Sequence, residues 1–186
     1  MQYGICFLSI LPVRSMPDEA SELVTQLLFG EHYKVLECRK NWSRIKTVFD
    51  KCEGWIMNSQ LMFIPEDEFN DIQTRKELKY VSDLISFVED HNKVLTPILI
   101  GSCIPEIASL PITFNGTFTN TEQPKEKLIK TALLYLNSPE LKGGKTPFGI
   151  GSAGFAQMVY RINGYHLLRT AESQSKQGNA LSFVEE

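Results

Sequence analysis

The chain has 186 residues, 42% hydrophobic and 22% charged, a balance typical of a folded globular protein that excludes a disordered or coiled-coil chain. Nineteen Lys and Arg against 22 Asp and Glu give a net charge of −3 with no basic cluster, so no nucleic-acid partner is expected. No apolar run reaches the ~20 residues that cross a bilayer, so no membrane partner is expected either.

The N-terminal residues lack a positive n-region and a small-residue cleavage site, and Pro12 and Arg14 interrupt the apolar stretch, so they read as a strand and not a leader. Cys6, Cys38, Cys52 and Cys103 form no Cys-x-x-Cys pair and no zinc spacing. They are expected as buried free thiols in a reducing cytoplasm, with no metal and no cofactor.

In chain order, residues 5–11 read as a strand that runs into an edge at Pro12, and Met16-Pro17-Asp18-Glu19 as a turn. Residues 23–29 and 32–38 are β-rich runs around the turn signal Gly30-Glu31. Residues 42–48 alternate apolar and polar with period two, and Gly54-Trp55-Ile56 starts a closing strand. Five short strands within residues 1–64 suit a small barrel. Residues 65–78 read as a linker or short helix, and 79–121 as a second β unit with strands at 80–88, 94–100 and 112–118. From residue 122 the pattern turns helical. Pro124 opens a helix whose apolar face is Leu128, Ile129, Ala132, Leu133 and Leu136. Residues 142–151 read as loop, and a second helix from Ser152 carries Phe155, Val159 and Ile162 at i, i+4 and i+7, with Asn163-Gly164 as its stop. A last helical turn is expected around Glu172.

Three phosphate- or nucleophile-like motifs fail on their context. Gly149-Ile150-Gly151-Ser152-Ala153-Gly154 matches Gly-x-Gly-x-x-Gly, but Pro147 bars a central strand before it and too little chain follows for a dinucleotide fold. Gly144-Lys145-Thr146 echoes the end of a phosphate loop, yet Pro139 stands where its first glycine belongs. Ser152 lacks the glycine of a nucleophile elbow, because position 150 is Ile150; on pattern alone it is a helix cap.

The run Lys145-Thr-Pro-Phe-Gly-Ile-Gly-Ser-Ala-Gly-Phe-Ala-Gln-Met-Val-Tyr-Arg161 closely resembles the nucleophile segment of the NlpC-type papain-like murein peptidases. Residues 4–14, 24–31 and Gly54-Trp55 resemble the first SH3-like barrel of that family's γ-D-glutamyl-L-diamino-acid endopeptidases, the dipeptidyl-peptidase VI type, and 79–120 resemble its second. The resemblance implies an α+β chain: two SH3-like barrels (1–64 and 79–121) followed by the helical N-terminal half of a papain-like domain (122–186). It also implies a murein peptide with a free N-terminal L-alanine as substrate, cut after D-glutamate, in a pocket walled by an SH3-like barrel. The family's nucleophile is a cysteine at the start of a helix, in Asp-Cys-Ser-Gly-Phe, where the helix N-terminus favours the thiolate and a histidine from a later strand completes the ion pair.

Five positions depart from that pattern. The nucleophile position is Ser152, the preceding acid is Gly151 and the following serine is Ala153. Upstream, Tyr-x-Trp-Gly-Gly is replaced by Glu140-Leu141-Lys142-Gly143-Gly144, which puts a carboxylate and an ammonium where aromatic substrate walls are expected. The histidine-bearing sheet would follow a segment like residues 180–186, leaving His32, His91 and His166, of which His166 is expected at the surface. These departures imply an inactive, truncated relative that binds murein peptides or regulates a complete homologue. The alternatives are an SH3-like protein-interaction module, or one half of a split peptidase completed by another chain. With its sheet missing, the Phe155, Val159 and Ile162 face is expected to be covered by a second copy or a protein partner.

Overall fold

The computed structural model describes residues 1–179; the expectation for residues 180–186 lies outside them. Strands β1 (Gln2–Ile5), β2 (Ile10–Arg14), β3 (Leu23–Leu28), β4 (His32–Cys38), β5 (Trp42–Thr47), β6 (Glu53–Met57) and β7 (Phe63–Ile64) form one antiparallel sheet in the order β3-β2-β6-β5-β4-β1-β7. Their alternation aims Leu11, Val13, Leu27, Tyr33, Val35, Ile45 and Ile56 into one barrel core. The N-terminal run is two strands and not one. The chain bends back at Cys6, whose amide donates to the Glu31 carbonyl at 2.8 Å. Pro12 is tolerated inside β2 because β6 meets β2 at Arg14 and Trp55 alone, so the proline's missing N–H faces no ladder.

Helix α1 (Glu66–Thr74) packs Phe69 and Ile72 under β1 and β7, with Tyr3, Ile5 and Ile64. The second β unit has two three-stranded antiparallel sheets. Strands β9 (Ile85–Asp90), β10 (Leu95–Leu99) and β12 (Ile112–Phe114) form one; β8 (Lys79–Val81), β11 (Cys103–Ile104) and β13 (Phe118–Thr119) form the other. The expected single strand over 80–88 is broken at residues 82–84, where Asp83 accepts from the amide and hydroxyl of Thr117 and fixes a corner. Val81, Val88, Ile98 and Ile104 enclose Phe29 of the first unit.

Helix α2 (Glu126–Leu133), the short strands β14 (Lys145–Thr146) and β15 (Gly149–Ile150), helix α3 (Ser152–Ile162) and helix α4 (Ala171–Ser175) complete the described chain. Residues 142–151, expected as loop, thus hold a small β ladder, in which Lys145 pairs with Ile150. Gly164 (φ +85) follows α3 in the left-handed conformation that ends helices.

The apolar face of α3 is not left for a partner. Val159 and Ile162 are buried, and Phe155 packs at their rim, in a cluster with Met158, Tyr135, Ile150, Leu28 of β3 and Ile100 of the second unit. Leu28 and Ile100 of the first two units, together with Tyr135, Ile150 and the inward edge of α2, cover the face for which a second copy or a protein partner was expected. Leu27, Leu28 and Phe29 enter three different cores in succession, which makes the end of β3 the point where the units are joined.

Helix α2 is rotated relative to expectation. Leu128 and Ala132 face inward, whereas Ile129, Leu133 and Leu136 are exposed. Its apolar stripe is wider than the contact it makes, and docking uses one edge. Ile162→Val is therefore expected to lower unfolding free energy by about 1 kcal/mol, while Leu133→Gln stays within about 0.5 kcal/mol. Urea titration of both variants checks this, and the reverse ranking would mean that α2 and α3 present other faces.

Of the cysteines, Cys6 and Cys103 are buried, Cys52 is half-buried and Cys38 is exposed; all four thiols are free. Cys38 escapes the expectation of burial because it lies at the end of β4, beyond the covered part of the barrel.

Candidate functional site

The start of α3 opens onto a cavity of about 470 Å³ between the first barrel and the helical part. Glu140, Lys142, Gly151, Ser152 and Ala153 all line it, together with Glu22, Leu23 and Val24 of the barrel, Cys52, and Arg169 and Thr170. Positions scattered over 140–153 thus meet at one helix end, and the barrel supplies the opposite wall.

The local chain path is forced by close approaches. Gly143 has φ +82, and a Cβ there would lie 2.1 Å from the Leu23 carbonyl oxygen, so only glycine lets this loop lie against the barrel. A Cβ on Gly154 would lie 2.3 Å from the Gly144 carbonyl oxygen, so the first turn of α3 rests directly on the glycine loop.

Ser152 is the first residue of the helix and not its cap. Gly151 is the N-cap, and no side chain caps α3. The leading amides of α3 are therefore unfilled by any capping side chain at the cavity wall, a setting that favours an anion. Ser152 is exposed there. Glu22 and Lys142 form an ion pair across the rim at 2.6 Å, both largely in solvent. The Glu140 backbone bridges to Ile150 while its side chain stays exposed.

Arg169 was not singled out in the sequence. It is 7% exposed, donates from Nε to Thr25 Oγ1 and from Nη2 to the Gly143 carbonyl, both at 2.8 Å, and borders the cavity beside Gly154. Burial lowers its pKa, against the pull of Asp50.

Behind the cavity lies a buried ionic cluster, also unforeseen. Glu31 accepts from Lys145 Nζ at 3.0 Å, from Arg161 Nη1 and from the Leu28 amide at 2.7 Å. Asp50 accepts from Thr47, and Gln157 donates to it at 3.4 Å. Burial alone would push the Glu31 carboxyl up; Arg161 and Lys145 outweigh burial and hold it at about 2. Glu31 and Asp50 belong to the barrel, while Lys145, Gln157 and Arg161 belong to the helical part, so the cluster fixes the barrel wall against α3.

Among the described residues no imidazole lines the cavity. His32 is buried in the first unit, and burial pushes it down to about 4. His91 lies in the turn after β9, and His166, exposed as expected, sits 2.9 Å from the Phe49 carbonyl through Nε2. Cys52 is the thiol on the cavity wall. Burial, reinforced by Asp50, pushes it up to about 12, so it stays protonated at neutral pH.

Residues 13–61 match the family model described as the bacterial dipeptidyl-peptidase Sh3 domain. The chain is 25% identical to dipeptidyl-peptidase 6 of Lysinibacillus sphaericus over 83% of its own length and 67% of that protein's. It is 36% identical to the gamma-D-glutamyl-L-lysine dipeptidyl-peptidase of Bacillus subtilis over 30% of its length and 19% of that protein's. A solved NlpC/P60 family protein from Bacillus cereus superposes with a TM-score of 0.80 at 17% identity, covering 97% of this chain and 78% of that one. An NlpC/P60 endopeptidase from Photobacterium damselae subsp. piscicida superposes at 0.73 and 16% identity, over 92% of this chain and 45% of that one. The matched segment identifies a bacterial SH3 domain over residues 13–61, the chain is similar to dipeptidyl-peptidase 6, and it shares the fold of NlpC/P60 proteins, findings that support a relationship to the NlpC-type peptidases that carry a bacterial SH3 domain.

Proposed function

We propose that this chain binds murein peptides in the cavity at the start of α3 without hydrolysing them. The observation that carries the reading is Ser152 at the head of an uncapped helix, in a cavity that no described imidazole lines. A hydroxyl needs a base to become a nucleophile, and a leaving amine needs an acid. Among the described residues no imidazole lines the cavity to serve as either.

Binding has better support than turnover. The amides heading α3 and the Arg169 guanidinium favour carboxylates, and Glu22 and Glu140 favour an amine. A peptide such as L-Ala-γ-D-Glu-diaminopimelate carries both kinds of group. The barrel wall at Glu22, Leu23 and Val24 limits how far a peptide extends on that side. The second β unit is read here as another SH3-like module that supports the barrel and α3.

Calorimetric titration with that tripeptide is expected to give saturable binding with Kd of about 1 mM or tighter. Arg169→Gln is expected to weaken it about tenfold, through loss of a charged donor. Absence of saturation in the wild-type chain overturns the reading. Unchanged affinity in a folded Arg169→Gln chain removes Arg169 from it.

A further inference from the structure

A second cavity lies at the opposite end of α3. It has a volume of about 390 Å³ and shares no lining residue with the one at Ser152. All parts of the chain contribute to it: Phe49 from the first unit, Arg75 and Lys76 after α1, Tyr80 of β8, and Arg161, Tyr165 and His166 from the end of α3. Its size falls in the range of small-molecule sites.

Its back wall is an unusual guanidinium. Arg161 is 2% exposed, and its guanidinium carbon lies 4.3 Å from the Phe49 ring centre and 4.9 Å from that of Tyr80. Nη1 is held by Glu31, but Nε has no hydrogen-bond partner among the described residues. A buried N–H of a charged group left without an acceptor is costly, and native proteins rarely leave one so. An acceptor entering from the cavity side would meet that deficit.

A smaller hollow of about 100 Å³ continues from this cavity, sharing Phe49, Leu78, Tyr80 and Arg161 with it. It is also lined by His32, whose Nε2 is the second buried polar atom there without a partner. The polar end of a ligand reaching Arg161 would therefore find two unfilled groups. Three rings, Phe49, Tyr80 and Tyr165, share the wall with polar residues that include Asn120, Thr121 and the carboxylate of Glu122. The phenol of Tyr165 is already committed to the Gln123 carbonyl at 2.6 Å, so this ring offers mainly its apolar surface.

We infer that the cavity between the three units is a second ligand site, for a small carboxylate with a flat, ring-like body whose acidic end meets Arg161 and whose ring lies among Phe49, Tyr80 and Tyr165. Lys76 stands at the mouth and adds attraction for the same charge.

Benzoate is the probe, with benzamide as its neutral isostere and inorganic phosphate as an anion without a ring. At low ionic strength, benzoate is expected to shift the backbone amide resonances of Tyr80, Gly164 and Tyr165 saturably, and to leave those of Ala153 and Gly154 unmoved. Benzamide and phosphate should each need at least about ten times the concentration, and Lys76→Gln should weaken benzoate about threefold while leaving the spectrum folded. The inference is overturned if benzoate does not saturate, if benzamide or phosphate binds equally well, if Lys76→Gln has no effect, or if the shifts centre on the Ser152 cavity. Peptide binding at Ser152 is read from different resonances, so the two sites stand or fall separately.

Discussion

Glu31→Gln is expected to lower the unfolding free energy by about 3–5 kcal/mol, the cost of leaving a buried charge uncompensated. The substitution keeps size and shape but removes the one carboxylate that Lys145 and Arg161 share, and those cations are 1% and 2% exposed by side chain. The same carboxylate sets an acid limb. Its pKa is about 2 in the folded chain against an ordinary 4.5, so the folded state binds its proton less readily than the unfolded one. The stabilisation is therefore complete above about pH 5 and lost as pH falls through 4 towards 2, amounting to roughly 3 kcal/mol. Urea midpoints measured between pH 7 and pH 2.5 should fall for the wild-type chain and change much less for Glu31→Gln. Glu53→Gln is the control: its pairs with Arg44 and Lys46 lie at the surface, where ion pairs contribute little. Equal midpoints for Glu31→Gln and the wild type would show that the buried cations are compensated by something other than this carboxylate.

That cluster shows what a linear reading reaches and what it misses. Strands β3 to β6 were legible because alternation survives wherever one face of a strand is buried. The split between β1 and β2 was not, since it depends on the Cys6 amide finding the Glu31 carbonyl. The wide stripe on α2 was legible as a stripe; which edge docks depends on Tyr135 and Phe155, which meet edge to face at 5.9 Å. Lys145, Glu31, Asp50 and Arg161 look like ordinary surface charges in the sequence, because their partners are up to 130 positions away. One local signal existed. Gly154, Gln157, Met158, Arg161 and Ile162 follow i, i+3, i+4, i+7, i+8, so the inward face of α3 carries an amide and a guanidinium amid apolar residues. Polar residues on a core-facing stripe imply buried partners, and that pattern pointed to the cluster. Arg169 had no such signal, lying outside any periodic element, and its place at the cavity comes from contacts with Thr25 and Gly143.

Incubated with L-Ala-γ-D-Glu-diaminopimelate, the chain is expected to release no L-Ala-γ-D-Glu, and Ser152→Cys is expected not to restore release. The pair of results separates two deficits. Position 152 heads an uncapped helix of eleven residues, so a thiol placed there would have its pKa drawn below the usual ~8.5. Ser152→Cys should therefore be alkylated by iodoacetamide at pH 7.5 well before Cys52, whose thiol is held up at about 12. A reactive thiolate alone does not cleave an amide, because the leaving amine must be protonated as the bond breaks. No described imidazole lines the cavity to do this: His166 is turned to the Phe49 carbonyl and His32 is enclosed in the first unit. Removing one member of such a catalytic unit costs about 10⁴–10⁶ in rate, nearly as much as removing all of them, so repairing the nucleophile alone gains little. Dipeptide release above the blank, abolished by Ser152→Ala, would overturn the non-hydrolytic reading. Release by Ser152→Cys alone would mean that some group other than a described histidine delivers the proton, and Glu22 and Glu140 on the cavity wall would then be the first to replace.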